Sequence, residues 1–349
     1  MLRSVIACVK RVLGLGPKDA NPGAAPVLGA SAPKFGANEA PPAGTQPIPF
    51  VVPACIARNG LYPVSGADEP PQFTLAMIHM SVGTTGQSPF NALPADGRLL
   101  TVTQGNQEDD ALYSVLLNQF GGEPPSFALP DLRGCAPIGT GQGTAPPKHT
   151  VPMMWIMATR SVPLFGGAAA IAAGMVIPFA GSTAPEGWVS CDGTLFTQAQ
   201  YPELYALFGN AFGWLPGGQV SLPRMPGSVV VGAGAPFAPG FPNTVVGTTI
   251  DGPPLQGMCL NYLICWNGIW PIAANPNTPV PYAQGFVGQI IAYAGNEPPP
   301  GWLLCDGALI AIETYQALFM LIQNSFGGDG EMTFAIPDLR GKMLIGPSA

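Results

Sequence analysis

Charge is scarce in this sequence. Lysine and arginine together number 13 and aspartate and glutamate 20 among 349 residues, so 9% of the chain is charged, against roughly 25% in ordinary soluble proteins. A net charge of −7 without a basic cluster predicts that nucleic acid is not a partner, because phosphate binding requires concentrated positive charge. It also predicts a surface of neutral glycine and proline loops, or one that partner proteins cover.

Histidine is scarce too, and the cysteines lack useful spacing. His79 and His149 lie 70 residues apart, so no histidine-based zinc site or Ser-His-Asp triad is expected in each repeat. The seven cysteines are odd in number and show no metal-ligand spacing, which is typical of reduced, mostly buried thiols. We therefore predict no catalytic residue, no cofactor and no metal, and a protein that is not an enzyme.

Long apolar runs are also lacking, since none reaches the ~18 residues of a membrane helix. Residues 1–16 have a basic start, but Lys10 and Arg11 interrupt the apolar stretch, so we recognise no Sec signal. Glycine (46) and proline (42) are abundant, yet 47% of residues are hydrophobic, which excludes a disordered chain. Residues 1–50, rich in proline, glycine and alanine, are expected to form an N-terminal arm or linker.

A pair of motifs occurs three times along the chain. In chain order the pairs are LPADG (93–97) with PDLRG (130–134), GWVSCDG (187–193) with LPRMPG (222–227), and GWLLCDG (301–307) with PDLRG (337–341). Copy one has Ala92 and Ala95 where copies two and three have Trp and Cys. From the Asp of the first motif to the second residue of PDLRG or its counterpart the spacing is 35, 32 and 32 residues. Near-constant spacing predicts a repeated folding unit.

Each copy is predicted to be α+β and mostly β. Short runs rich in β-branched residues predict opening strands at 175–179 and 287–293 and closing strands at 229–231 and 343–345. Asp-Gly predicts a turn between them, and residues 314–325 show helical spacing of apolar residues. The helix residues predicted to face the core are Leu318, Phe319 and Ile322 in copy three and Leu204, Leu207 and Phe208 in copy two.

A further repeat lies between the copies. The segment 155–163 follows copy one and the similar segment 263–271 follows copy two, whereas none follows copy three and its counterpart, 54–63, precedes copy one. Because proteins cover exposed sheet edges, we predict that the N-terminal strand completes copy three. Completion within the same chain closes a ring and is favoured. The alternative is that the strand completes copy three of a neighbouring chain. The residues predicted to complete the sheet are Ile56, Asn59, Gly60, Leu61 and Tyr62.

These repeats predict five segments. They are an arm at 1–50, the completing strand at 51–65, copy one with its following strand at 66–163, copy two with its following strand at 164–273, and copy three at 274–349.

The motif residues are interpreted as structural. Asp before Gly favours a hydrogen-bonded turn over a catalytic carboxylate, and each cysteine near a Trp favours a small buried side chain, with a disulfide as the alternative in an exported protein. For Asp131/Arg133 and Asp338/Arg340 we favour an arginine that ties a loop to a carboxylate or carbonyl group over an anion site. The structural motif residues are Trp188, Cys191, Asp192, Gly193, Trp302, Cys305, Asp306, Gly307, Asp131, Arg133, Asp338 and Arg340.

This set of motifs resembles the phage tail-collar family, which includes the microcystin-dependent-protein-like sequences. The resemblance implies a structural domain of phage tail fibres and related bacterial appendages, whose units group around a threefold axis. Copy two departs from it with PRMPG in place of PDLRG, and copy one lacks the Trp and Cys. Because the family normally carries one unit per chain, three units predict a pseudo-threefold trimer made from a single chain.

We therefore expect a non-enzymatic structural component of a phage tail, tail fibre or related virion appendage, located in the virion or an extracellular appendage. Its expected partners are other virion or appendage proteins, and host attachment by a cell-surface glycan is a variant because Trp214, Trp266 and Trp270 can stack on sugars. The alternative is an extracellular filament or adhesin subunit that self-assembles with itself by strand exchange. A polysaccharide hydrolase is the third hypothesis.

Overall fold

The computed structural model describes most of the chain from residue 47 onward, and the described residues belong to one unit, Asn38–Ala349. The described ranges are 47–58, 61–63, 70–82, 92–103, 106–140, 146–162, 168–209, 211–234, 244–250, 255–271 and 284–347. The predicted arm lies outside the described residues up to residue 46.

The three copies are built from the same series of elements, preceded by two N-terminal strands, β1 (Ile48–Val51) and β2 (Ala54–Ile56). Copy one contains β3 (Ile78–Ser81), β4 (Leu93–Pro94), β5 (Leu99–Thr101), α1 (Gln107–Leu116), β6 (Ser126–Ala128) and β7 (Ala136–Gly139), and β8 (Thr150–Ala158) follows. Copy two contains β9 (Met175–Phe179), β10 (Trp188–Ser190), β11 (Leu195–Thr197), α2 (Pro202–Phe208), β12 (Trp214–Leu215), β13 (Gln219–Ser221) and β14 (Ser228–Gly232), and β15 (Thr249–Ile250) and β16 (Gln256–Cys265) follow. Copy three contains β17 (Gln289–Tyr293), β18 (Trp302–Leu304), β19 (Leu309–Ala311), α3 (Gln316–Ile322), β20 (Thr333–Ala335) and β21 (Lys342–Ile345).

The predicted class, α+β and mostly β with one short helix per copy, is confirmed for the described residues. The helix predicted at 314–325 is shorter, because it ends where Gln323 takes a positive φ of 48°. Leu117 and Gly209 end the other two helices in the same way, with φ of 49° and 50°. The helix therefore ends at Ile322, before the predicted end at residue 325.

Each helix buries one face against the sheets. The fully or nearly fully buried helix residues include Leu112, Leu116, Leu204, Phe208, Leu318, Leu321 and Ile322. Phe319 and Leu207, both predicted to face the core, are only half-buried at its margin. Phe319 packs its ring 5.3 Å from that of Phe334, so it contacts the core but stays partly open to solvent.

A connecting strand joins each copy to the next. Residues 150–153 of β8 pair in parallel with β7, and residues 154–157 pair antiparallel with β9 of copy two. The strand β16 pairs in the same manner with β14 and β17. The strands β1 and β2 make the same two pairings, with β21 of copy three and β3 of copy one. The N-terminal strands therefore link copy three to copy one.

This pairing corrects the predicted end of the arm. Residues 48–50 belong to a strand that pairs with copy three, and the amide of Val52 donates to the carbonyl of Ile345 at 2.9 Å. Within the predicted completing strand, 51–65, residues 54–56 pair through β2 with β3 and β4 of copy one, so β1, and not the segment 54–63, pairs with copy three. The apolar pattern misses β1 because Ile48 and Val51 are both exposed, and main-chain hydrogen bonds rather than side-chain burial hold it in place.

The side chains predicted to complete the sheet differ in their burial. Ile56 is buried, whereas Leu61 and Tyr62 are 37% and 50% exposed, so of these three side chains only that of Ile56 belongs to the core. Leu61 lies beyond β2, where the chain makes only a single bridge to Thr74. Asn59 and Gly60 lie outside the described residues.

Candidate functional site

The Asp-Gly motif forms the same turn in every copy. The Asp Oδ1 accepts a hydrogen bond from the amide two residues later, and the three bonds are Arg98 N to Asp96 (3.2 Å), Thr194 N to Asp192 (2.9 Å) and Ala308 N to Asp306 (3.0 Å). The glycine after each Asp has a positive φ of 73–85°, which favours glycine. These carboxylates therefore hold the turn.

The two motifs of each copy meet in space. The carbonyl before each Asp accepts a 2.8 Å hydrogen bond from the second motif, and the donors and acceptors are Leu132 N and Ala95 O, Met225 N and Cys191 O, and Leu339 N and Cys305 O. The motif glycines allow the close approach. A Cβ on Gly97 or Gly307 would lie 2.9 or 3.1 Å from the Cβ of Asp131 or Asp338, and in copy two Gly193 faces Arg224 instead. The two sequence motifs are thus one junction.

An Asp-Arg pair stabilises the second motif of this junction in copies one and three. Arg133 donates through Nε and Nη2 to Asp131 at 2.9 and 2.7 Å, and Arg340 donates to Asp338 at 2.9 Å through both atoms. Hydrogen bonds from Arg133 lower the pKa of Asp131. Burial raises the pKa of Asp338, but hydrogen bonds from Arg340 outweigh it and the net pKa is lowered. Because each guanidinium is already engaged by a carboxylate, the pair ties the loop.

The Gly-Trp part of the motif contacts the preceding copy. The indole Nε1 of Trp188 donates to the carbonyl of Gln72 at 3.0 Å, and that of Trp302 donates to the carbonyl of Ala170 at 3.1 Å. Both indoles are nearly fully buried. A buried indole needs such a partner, so the two tryptophans hold copy two on copy one and copy three on copy two. Ala92 takes their position in copy one.

No disulfide joins any of the described cysteines. Cys191 and Cys305, beside the two tryptophans, are buried, and burial is the main cause that raises their pKa. Burial likewise raises the pKa of Cys259 to about 11. A disulfide between the two motif cysteines, the alternative for an exported protein, is absent among the described residues.

The copies also contact one another around two sets of strands. The opening strands β3, β9 and β17 meet at three contacts, which we call the opening seams. Their hydrogen bonds run from Ala180 N to Ala76 O (3.0 Å), from Ala294 N to Gly174 O (2.9 Å) and from Val82 N to Gly288 O (2.9 Å). Copy two thus donates to copy one, copy three to copy two, and copy one to copy three.

The closing strands β7, β14 and β21 make a second set of contacts between the copies. These bonds run from Gly227 N to Gly139 O (2.9 Å), from Gly341 N to Gly232 O (2.7 Å) and from Gly134 N to Gly346 O (2.9 Å). A Cβ on Gly139, Gly232 or Gly346 would lie 1.9, 1.8 or 2.3 Å from a carbonyl oxygen of the adjoining copy. Sequence reasoning missed these three glycines, although each follows an Ile or Val of the closing strand.

A small cavity of about 20 Å³ lies among the three copies. Its lining is mainly apolar and includes Met80, Val176, Ile290 and Leu344 from the three copies. Tyr262 donates its hydroxyl to Val230 O at 3.0 Å, whereas Trp155 Nε1 has no partner among the described residues. The cavity has room for about one water molecule, and no substrate fits it.

The tryptophans considered for sugar stacking differ in exposure. Trp214, on β12, is 54% exposed beside exposed Leu215. Trp266 and Trp270 are half-buried, and Trp266 packs edge-on to Tyr315 at 4.9 Å. The described residues contain no group of three or more His, Cys, Asp or Glu side chains placed to hold a metal ion. Within the same ranges, we find no helix with the length and apolarity to span a membrane.

The fold and these junctions agree with the comparison to protein families. The phage tail collar domain matches the chain three times, at residues 77–137, 174–230 and 288–344, and these matches begin at or next to the first residue of the three opening strands. The chain belongs to the phage tail collar domain family, and the three tandem copies are confirmed. This is a structural family of phage tails. No curated protein and no solved structure matches the chain.

Proposed function

We propose that this chain is a non-enzymatic structural component of a phage tail fibre or related virion appendage, in which one polypeptide supplies all three units of a pseudo-threefold collar. The observation that carries the proposal is the cyclic order of the hydrogen bonds at both sets of strands. Each copy gives and receives the same bonds, as subunits of a closed cyclic assembly do. The chain therefore takes the place of a trimer.

The N-terminal strands supply the third connection of this ring. The ring centroid of Phe50 on β1 lies 6.1 Å from that of Phe326 and 5.1 Å from the ammonium nitrogen of Lys342. Both partners belong to copy three, whereas β2 pairs with copy one. In the alternative, β1 pairs with β21 of a neighbouring chain instead of its own. Such a contact repeats from chain to chain without closing, so it gives a filament that grows by strand exchange.

An engineered disulfide between β1 and β21 distinguishes closure within one chain from strand exchange between chains. Val51 and Ile345 are partners in that register, so the variant Val51→Cys/Ile345→Cys places two thiols at a distance a disulfide can span. We expect oxidation to give a monomer of 36.0 kDa on a non-reducing gel, with faster migration than the reduced form. A ladder of multimers would favour the filament and refute closure within the chain. The oxidised single variants and the wild type control for the native cysteines.

The structural role itself is tested in the virion. Purified protein is expected as a uniform particle of one chain in light scattering and electron micrographs, and antibodies against it are expected to label a phage tail or appendage. No labelling of any such particle would count against the proposal. The carboxylates of the Asp-Gly turns are engaged in backbone hydrogen bonds, which supports the non-enzymatic role, and a reducing-sugar assay on host polysaccharide would reveal the hydrolase alternative.

Host attachment is the finer part of the proposal, and Trp214 supports it. Copies one and three have two-stranded sheets at this place, β5–β6 and β19–β20, whereas copy two adds β12 and exposes an indole beside Leu215. Exposed indoles stack on the apolar faces of sugar rings. A glycan array is expected to give signals that Trp214→Ala abolishes and Trp266→Phe retains. Unchanged signals in Trp214→Ala would exclude this surface.

A further inference from the structure

One of the three opening seams is polar at a position where the other two carry apolar side chains. Met77, just before β3, aligns with Met175 and Gln289, the first residues of β9 and β17, and the residues two positions later are His79, Ile177 and Ile291. At each opening seam, the hydrogen bond places the later of these positions in one copy opposite the first position in the adjoining copy. The facing pairs are His79 and Gln289, Ile177 and Met77, and Ile291 and Met175. The polar pair therefore marks the seam between copies one and three.

Gln289 replaces a methionine in a local bond that every copy makes. In copies one and two the methionine Sδ accepts a 3.3 Å hydrogen bond from the amide three residues earlier, that of Thr74 or Ala172. In copy three the Gln289 Oε1 accepts the equivalent bond from the amide of Phe286, also at 3.3 Å. This bond fixes the orientation of the amide group. Its Nε2 then points across the seam, 3.0 Å from Nδ1 of His79.

The surroundings leave this pair little alternative. Gln289 is 0% exposed, so its NH₂ group depends on protein partners. The His79 ring lies edge-on to Phe73 at 5.2 Å and to Phe286 at 5.9 Å. With Gln289 as the donor, Nδ1 must be the unprotonated nitrogen that accepts. Opposite a methionine or an isoleucine, Gln289 would lose this bond while fully buried and His79 while half-buried, which is unfavourable.

We propose that His79 and Gln289 are specificity-determining residues: at the seam that carries Gln289, they select copy one as the partner of copy three and reject the other copies. Direct chain connections through β8 and β16 bring copies one and two, and copies two and three, together in order. The remaining seam joins the two copies that are farthest apart in sequence, and a buried polar pair is a means of fixing such a choice. The inference rests on the proposed cyclic arrangement of the copies.

A double-mutant cycle tests the pairing, and the chain supplies the matched replacement. His79→Ile and Gln289→Met, made singly in the full chain, are each expected to lower the Tm by several degrees, because each leaves one polar group without its partner. The combined variant reproduces the pair found at the other two seams and is expected to recover most of the loss. Losses that add up in the combined variant would overturn the proposal.

Refolding from denaturant tests specificity separately from stability. The combined variant has three alike seams, so we expect a lower yield of monomer and more oligomer than the wild type gives in light scattering. A wild-type yield of monomer would overturn the role in specificity. Ile177→His, which places a lone imidazole at an apolar seam, serves as the control for a buried polar group without a partner, and is expected to lose stability like the single variants.

The outcome is separable from that of the proposed function. Multimers in the Val51→Cys/Ile345→Cys experiment would refute closure within the chain, but would leave the coupling of His79 with Gln289 in place. Additive losses in the cycle would overturn the specificity pair, but would leave closure and the role in a virion untouched.

Discussion

The closing-strand glycines carry the most demanding prediction. In Gly232→Ala the new Cβ would lie 1.8 Å from the carbonyl oxygen of Leu339 in copy three. Carbon and oxygen atoms that are not bonded stay more than about 3 Å apart, so the two closing strands must separate by over 1 Å. The atoms nearest to the new Cβ all belong to the main chain of Leu339 and Arg340, so no side-chain rotation can relieve the clash.

The cost follows from what this separation breaks. The Gly341 N to Gly232 O bond, 2.7 Å long, contributes about 0.5–1.5 kcal/mol. Overpacking beside buried Val231 and Leu339 adds about 1–3 kcal/mol. Alanine also lowers the conformational entropy of the unfolded chain, which offsets about 0.4–1 kcal/mol of this destabilisation. We expect Gly232→Ala to lower the free energy of unfolding by roughly 2–3 kcal/mol, with Gly139→Ala close behind.

Guanidinium unfolding followed by circular dichroism measures this loss, and Gly209→Ala is the matched control. Gly209 has nothing within 4 Å of its Cβ position, and Leu117 and Gln323 adopt nearly the same φ in the other copies. Alanine there is expected to cost only the strain of a positive φ, roughly 1–2 kcal/mol, because it meets no main-chain atom, so its loss should be the smaller of the two. A loss in Gly232→Ala no larger than in Gly209→Ala would refute the inference that the closing strands of copies two and three are in contact.

Four further outcomes are expected. Leu318→Ala should cost about 2–5 kcal/mol and Phe319→Ala distinctly less in denaturant unfolding, because only the first side chain is fully buried; equal losses would contradict this placement. Trp302→Phe should cost about 1–3 kcal/mol, since it leaves the partly buried Ala170 carbonyl without the indole donor, and an unchanged Tm would count against it. Burial lowers the pKa of His79 from 6.5 to about 4, so between these pH values the unfolded chain binds more protons than the folded chain. The free energy of unfolding should therefore be highest above pH 6.5 and fall toward pH 4, by at most about 3 kcal/mol for a ring that keeps some exposure. The variant His79→Ile should lack this part of the pH dependence. The Cys305 thiol, buried and with a raised pKa, should react with iodoacetamide only after unfolding, and rapid native labelling would disprove its burial.

Local sequence patterns predicted the elements that depend on local physics. The run 175–179 is a strand with the predicted bounds because all five residues are apolar and buried. The Asp-Gly turns follow from a short acceptor side chain and a glycine with positive φ. The helix of copy three ended earlier than its apolar spacing suggested, since the positive φ of Gln323 depends on how the chain leaves the helix, which no residue type at that position reveals.

The sequence by itself determined that three like units exist, because motifs at near-constant spacing require a repeated fold and each unit carries its own buried face. It did not determine which copies touch. Strand β1 is short and exposed, so its place beside β21 depends on main-chain hydrogen bonds that any residues can form. The closeness of Gly232 to Leu339, and of His79 to Gln289, arises only when strands distant in sequence are packed together. Such contacts depend on tertiary geometry, because the atoms that make them necessary belong to another copy.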